Sequence, residues 1–186
     1  HVWVDAKRGQ IFNLASGASG LDEISKNGMK AFFKENLPFR VLRDFPNMPE
    51  EDADNAYLGI GITMSFDKRN NLLYITKRDY KSKGFTSYDP DGKFFYITGL
   101  IVNDAPVLVR LGDPRYFDDC SWTVSYNFYL KTWISYHSFK PNYYVDFVDY
   151  FGSGLENSFW LHGLTNFSHQ VYYGKLYPFI FEPIIN

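Results

Sequence analysis

The chain has 186 residues, enough for one domain with its own core or for part of a longer polypeptide. A formal charge of -2 at pH 7 offers no basic face for phosphate, which argues against nucleic acid and anionic membranes as partners. One cysteine, Cys120, excludes an internal disulfide framework and a multi-cysteine metal site, and no run approaches eighteen apolar residues.

The chain opens with HVWVDAKRGQ, which lacks the basic-then-apolar layout of a signal peptide. Val2-Trp3-Val4 already reads as a strand, so a processed product or an internal piece of a longer chain is expected, folded in a cytosol. The loop SGASG (16–20) follows, and then the one segment that predicts a helix, LDEISKNGMKAFFKEN. There Ser25 is the expected N-cap, Met29, Phe32 and Phe33 share a face, and the helix stops near Glu35 before Leu37-Pro38. FPNMPEEDADN (45–55) reads as loop. Strands are predicted at 57–66, 71–77, 93–102, 105–111, 122–128, 132–139, 143–150 and 177–185, with turns at DPDG (89–92) and FGSGLENS (151–158). Aromatic residues make up 20% of the chain and favour pleated, half-buried positions, which strengthens the β reading. The fold class expected is all-β, mainly antiparallel, with one short helix.

Three segments share a hairpin pattern: VWVDAKRGQIFNL around Asp5, TMSFDKRNNLLYI around Asp67 and TVSYNFYLKTWISY around Asn127. In each, an apolar residue (Val4, Phe66, Tyr126) precedes the Asp or Asn, and another (Ile11, Leu73, Trp133) follows six positions after it. Asp or Asn at the head of a turn accepts backbone N–H groups, and Lys7, Arg8, Lys68, Arg69 and Lys131 suit an exposed tip. Repeated hairpins of this kind build β-propeller blades. The pattern divides a single β-rich region, 1–186, into candidate blade units 1–56, 57–119 and 120–186, an incomplete propeller because three blades do not close a ring. A β-sandwich is the alternative.

No constellation for chemistry stands out. His162 and His169 lie in a segment too rich in Gly, Asn and aromatics for a helix, His137 suits a strand face, and His1 is terminal. Cys120 follows two acidic residues, which raises a thiol pKa. PEEDAD (49–54) and DPDG read as solvated loops rather than cation sites. No carboxylate pair is singled out for glycoside hydrolysis. The expectation is therefore no enzyme, no cofactor and no metal.

The strip SWTVSYNFYLKTWISYHSFKPNYYV (121–145) threads nine aromatic residues among serines and threonines. Alternation puts Trp122, Val124 and Tyr126 on one face with Thr123 and Ser125 on the other. It likewise puts Trp133, Ser135, His137 and Phe139 opposite Thr132, Ile134, Tyr136 and Ser138. One face is expected to bury and the other to stay polar. Candidate interface or glycan-contact residues are Trp122, Tyr126, Trp133, Tyr136, Tyr143 and Tyr144, with the Ser, Thr and Asn between them serving the polar ends of buried rings.

The ordered set DAKRGQIFNLA, GLDEISKNGMKAFF, GIGITMSFDKRNNLLYITKRDY, the strip itself, FWLH and YYGKLYPFIFEPIIN resembles structural tail proteins of tailed bacteriophages. It is most similar to the muzzle-type tail proteins of crAss-like gut phages. The likeness covers most of the chain and is weakest over 79–119. It implies a non-enzymatic virion structural protein, made in the bacterial cytoplasm and built into the tail. Its partners would be other tail proteins and copies of itself in a ring around the tail axis, with host-surface glycan as a further contact. A carbohydrate-binding module for host-surface or gut glycans is the alternative.

Overall fold

The computed structural model describes residues 1–14, 20–155, 157–162 and 171–176. The first part of the chain forms β1 (Val2–Asp5), β2 (Gln10–Leu14) and β3 (Leu21–Glu23), a 3-10 turn at Ile24–Lys26, and the helices α1 (Lys30–Asn36) and α2 (Arg40–Asp44). A second 3-10 turn at Glu50–Asp54 precedes β4 (Gly61–Asp67), β5 (Leu72–Arg78), β6 (Tyr80–Ser82) and β7 (Thr86–Asp89). Then come β8 (Phe94–Val102), β9 (Ala105–Val109), β10 (Phe117–Asp119), β11 (Trp122–Asn127) and β12 (Thr132–His137). The last are β13 (Tyr143–Asp146), β14 (Phe151–Leu155), β15 (Ser158–His162), β16 (Val171–Tyr172) and β17 (Lys175–Leu176). The chain is mainly antiparallel β, arranged in several small sheets of which none is closed. The strand expected over 177–185 and most of the SGASG loop lie outside the described residues.

One turn recurs four times. Asp5 Oδ1 accepts the Arg8 amide, Asp67 Oδ1 those of Arg69 and Asn70, Asp89 Oδ1 those of Asp91 and Gly92, and Asn127 Oδ1 those of Tyr129 and Leu130. Each turn then closes through a left-handed residue: Gly9 (φ 70°), Asn71 (54°), Lys93 (55°) or Lys131 (52°). The apolar residues that flank the sequence repeat prove to be cross-strand partners: Val4 faces Ile11, Phe66 faces Leu73 and Tyr126 faces Trp133. DPDG makes the fourth copy, with Tyr88 opposite Phe95. A local turn thus fixes register, and register places a large side-chain pair against the core.

The central sheet has the order β12-β11-β5-β4. β5 pairs with β11 from Leu72↔Asn127 to Lys77↔Trp122, and β6 with β10 from Tyr80↔Asp119 to Ser82↔Phe117. The register is the same throughout, so the two pairs make one long ladder, joined by the Cys120 amide donating to the Asp79 carbonyl. The boundary expected at 119/120 falls inside this ladder, and the hairpins around Asp67 and Asn127 join in one sheet. The intervening segment hangs from the far end of the ladder as the sheet β7-β8-β9.

Both faces of the central sheet are covered. On one side Leu73, Ile75, Val124 and Tyr126 pack on Ile11, Ile24, Phe33 and Leu37 from the N-terminal hairpin and α1. On the other, Tyr74 packs with Phe139, Phe151 and Tyr173 under the sheet β13-β14-β15. A third core joins α2 to the hanging segment through Val41, Phe45, Met48, Tyr88, Phe95 and Phe117.

Several expectations are corrected. Ser25 does not cap α1: it is buried in the first 3-10 turn with its hydroxyl on Glu23, and the helix begins five residues later. Among the described residues there are two α-helices rather than one, because α2 takes its cap from the distant Asp79 (below). PEEDAD is no solvated loop: Glu50–Asp54 is a 3-10 turn that buries Asp52 and Ala53. FGSGL is strand β14 rather than turn, its glycines serving as floors for aromatic rings. A Cβ at Gly152 would lie 2.1 Å from the Phe159 ring, and one at Gly154 2.2 Å from the Tyr143 ring.

Candidate functional site

The aromatic strip is first of all packing. Trp122 and Tyr126 are buried, Trp133 and Tyr144 are half-buried, and only Tyr136 and Tyr143 of the six candidate contact residues are exposed. Helix α1 lies across the strip: Phe32 meets Trp122 and Tyr136 edge-on at 5.3 and 5.4 Å between ring centres, and Phe33 meets Trp133 at 4.6 Å. The polar ends find partners on the covering layer. Trp122 Nε1 donates to the Asn36 carbonyl, Trp133 Nε1 to the Ile24 carbonyl, and Asn27 Nδ2 to the Tyr126 hydroxyl. Main-chain carbonyls thus do most of what the interleaved Ser, Thr and Asn were expected to do.

The expected alternation holds on β11 and fails on β12. The β11–β12 register shifts between Ser125 and Tyr126, so Trp133 stays opposite Tyr126 while Ser135 falls opposite Ser125. This bulge turns Trp133 and Tyr136 towards α1 and leaves Ser135 and His137 on the other face.

That other face is polar, as alternation predicts, but it is buried rather than wet. Thr123 and Ser125 are 1% and 0% exposed. A buried hydroxyl must find a partner or lose roughly 1 to 3 kcal/mol, and here each one does. Thr76 Oγ1 lies 2.8 Å from Thr123 Oγ1 and 2.9 Å from the Tyr144 hydroxyl, Thr123 Oγ1 donates to the Phe139 carbonyl, and Ser125 Oγ meets His137 Nε2 at 2.9 Å. Ser65 reaches across to Asp146. Burial pushes the Tyr144 hydroxyl well above the ordinary tyrosine range and pulls His137 down to about 4.

A second serine–histidine contact lies in the C-terminal sheet, where Ser153 Oγ is 2.7 Å from His162 Nε2 and 2.6 Å from the Tyr173 hydroxyl. The spacing is that of a nucleophile and its base. Ser153 is nevertheless fully buried, Phe151 stacks on the imidazole at 4.9 Å, and burial lowers His162 to about 4, so the contact is a satisfied core hydrogen bond. His169 lies outside the described residues. Cys120 makes a weak contact with the Asp118 carbonyl, and burial, with Asp79 and Asp119 adding to it, pushes its thiol up. Among the described residues no group of three His, Cys, Asp or Glu is arranged to hold a metal.

Two buried carboxylates were not legible in the sequence. Asp79 is fully buried where the ladder passes from β5 to β6; it receives Lys77 Nζ at 2.5 Å and the Arg40 and Val41 amides at 2.8 and 3.2 Å. Lys77 also donates to the Pro38 carbonyl and lies 4.7 Å over the Phe39 ring. Burial lowers the Lys77 pKa against the pull of Asp79. Asp79 therefore caps a five-residue helix that has no local cap. Asp52 takes Lys93 Nζ at 2.6 Å and the Tyr88 hydroxyl at 2.9 Å, and the Lys93 bond leads in lowering its pKa. Lys77 is two residues from Asp79, but no sequence signal announces the α2 amides that Asp79 accepts or the Lys93 and Tyr88 that hold Asp52, since these lie about forty residues away.

One run of exposed apolar side chains lies on the β8–β9 arm. Leu100, Ile101, Val102 and Leu108 are exposed around the Asn103-Asp104 turn, and Asp104 is the sole charge between Ile97 and Leu108. No family model, curated protein or solved structure matches the chain.

Proposed function

We propose that this chain is a non-enzymatic structural module of a bacteriophage tail, propeller-like in build and assembled with other tail subunits and with copies of itself. The observation that carries the reading is the stack of antiparallel sheets. A four-stranded sheet, β12-β11-β5-β4, is covered on one face by the N-terminal hairpin layer and on the other by β13-β14-β15, as a blade is covered by its neighbours. The turn shared by four hairpins supports the same reading. The β8–β9 arm supplies an apolar end of the kind that marks contacts between chains.

Chemistry within the strands favours this over catalysis, because both serine–histidine contacts are enclosed by rings. The strip itself is a poor glycan platform, since its tryptophans lie beneath α1. The test is quantitative peptide mass spectrometry of purified phage particles. Peptides of this chain at a fixed, integral ratio to the major capsid protein are expected. Their absence from particles that contain the other tail proteins would remove the reading.

A further inference from the structure

A groove of about 950 Å³ runs between the root of the β8–β9 arm and the central sheet, at the upper end of the size of small-ligand sites. Its walls include Tyr57, Arg78, Tyr80, Phe94, Arg110 and Asn142. Arg78 is the unusual member. It is half-buried, and its guanidinium donates to two neutral acceptors, the Asn142 side-chain oxygen and the Tyr80 hydroxyl at 2.8 Å. Its Nε is buried without a partner, the only such side-chain atom among the described residues.

Among the described residues no carboxylate pairs with Arg78 or with Arg110. The other charges on the wall are matched: Lys93 is held by Asp52, and Asp113 by Arg115 through two bonds to Arg115 Nε and one to Nη2. The groove thus holds two uncompensated guanidinium charges in a chain whose net charge is -2. A planar guanidinium matches a carboxylate with two parallel hydrogen bonds. The Asn142 side-chain nitrogen has no acceptor among the described residues and is free to donate to a hydroxyl. Tyr57, fully exposed at the rim, and the half-buried Phe94 offer flat rings to the C–H face of a pyranose.

We propose that this groove binds a carboxylate-bearing saccharide, a uronate or sialate unit of a larger glycan, with Arg78 and Arg110 on the carboxylate and Tyr57 against the sugar ring. A phosphate ligand suits the site less, because the space exceeds what the ion fills. The site takes Asn142 from the end of the strip but none of the strip's aromatic residues, and it does not rest on the tail reading.

The test is an array of uronate- and sialate-terminated oligosaccharides beside their uncharged counterparts, probed with the full chain, followed by calorimetric titration of the best acidic member. Saturable binding at least tenfold tighter than to the neutral counterpart is expected. Arg110→Gln and Tyr57→Ala, both at exposed positions, should each weaken it about tenfold with an unchanged circular dichroism spectrum and melting temperature. Arg78→Lys, which keeps the charge and loses the fork, should weaken it as well. Binding to no acidic member above its neutral partner overturns the proposal, as does an Arg110→Gln variant that binds like the parent. Displacement of the glycan by an equal concentration of inorganic phosphate would also overturn it, marking a general anion site.

Discussion

The central sheet and the β8–β9 arm are built with the same turn and end in opposite environments. Around Asp67 and Asn127 the turn feeds strands whose two faces are both covered, one by aromatic packing and one by a closed hydroxyl and imidazole network. Around Asp89 it feeds β7 and β8, of which only the root is buried; beyond Ile97 the arm exposes Leu100, Ile101 and Val102. The β8–β9 register slips by three residues between Tyr96 and Ile101, with Gly99 at φ 74°, so the arm leaves the sheet at that point. The turn decides that two strands pair. What lies above and below them decides whether a given side chain is core or surface.

The junction between the two regions is where the largest effect is expected. Asp79→Ala leaves Lys77 buried without its partner and α2 without its cap, at a cost of about 3 to 5 kcal/mol. Urea denaturation should report that loss, and hydrogen exchange should be fastest-gained at the Arg40 and Val41 amides. Exchange unchanged at those amides would sever the arm core from the ladder.

Next comes the contact between the first turn and α1. A Cβ at Gly9 would sit 2.5 Å from the Lys34 Cα and 2.8 Å from the Phe33 carbonyl oxygen, at a positive φ. Gly9→Ala should therefore cost about 3 kcal/mol, read as a lower urea midpoint, whereas Gly84→Ala, with open space around its Cβ, should cost only its backbone strain of about 1 kcal/mol.

The polar face of the central sheet and the C-terminal sheet that covers it each carry an imidazole bonded to a buried serine, and these two set a pH dependence just below neutrality. His137 and His162 have folded pKa values lowered to about 4, so between pH 6.5 and 4 the unfolded chain binds protons that the folded chain does not. Stability attributable to these groups is full above 6.5, falls as pH drops through that window and levels off below 4. The loss is up to about 3 kcal/mol for each imidazole, less for the more exposed His137. Denaturation curves from pH 7 to 4 check it, and His162→Gln should flatten the slope.

The smallest effects belong to the turns and the arm tip. Asn127→Ala removes one acceptor for two exposed amides and should cost about 1 kcal/mol. Ile101→Lys at the exposed tip should leave the urea midpoint within about 0.5 kcal/mol while raising solubility. A large destabilisation there would show that the arm packs on something in the isolated chain.

The sequence by itself determined the β class, the strand positions near each turn and the pairing of Val4, Phe66 and Tyr126 with the residues seven positions after them. These follow from contacts within a dozen residues: an Asp or Asn accepting nearby amides, and a side-chain period of two. Tertiary structure alone decided the rest. Whether Thr76 and Ser125 meet water or Tyr144 and His137 depends on strands laid over and beside them from further along the chain. That Arg40–Asp44 is helical depends on an oxygen supplied by Asp79, and the bulge at β12 depends on seating Trp133 and Tyr136 under α1. The groove around Arg78 arises the same way, where turns, ladder and arm converge from positions 57 to 142. Burial, capping and charge compensation are properties of neighbours, and in this chain the decisive neighbours are tens of residues apart.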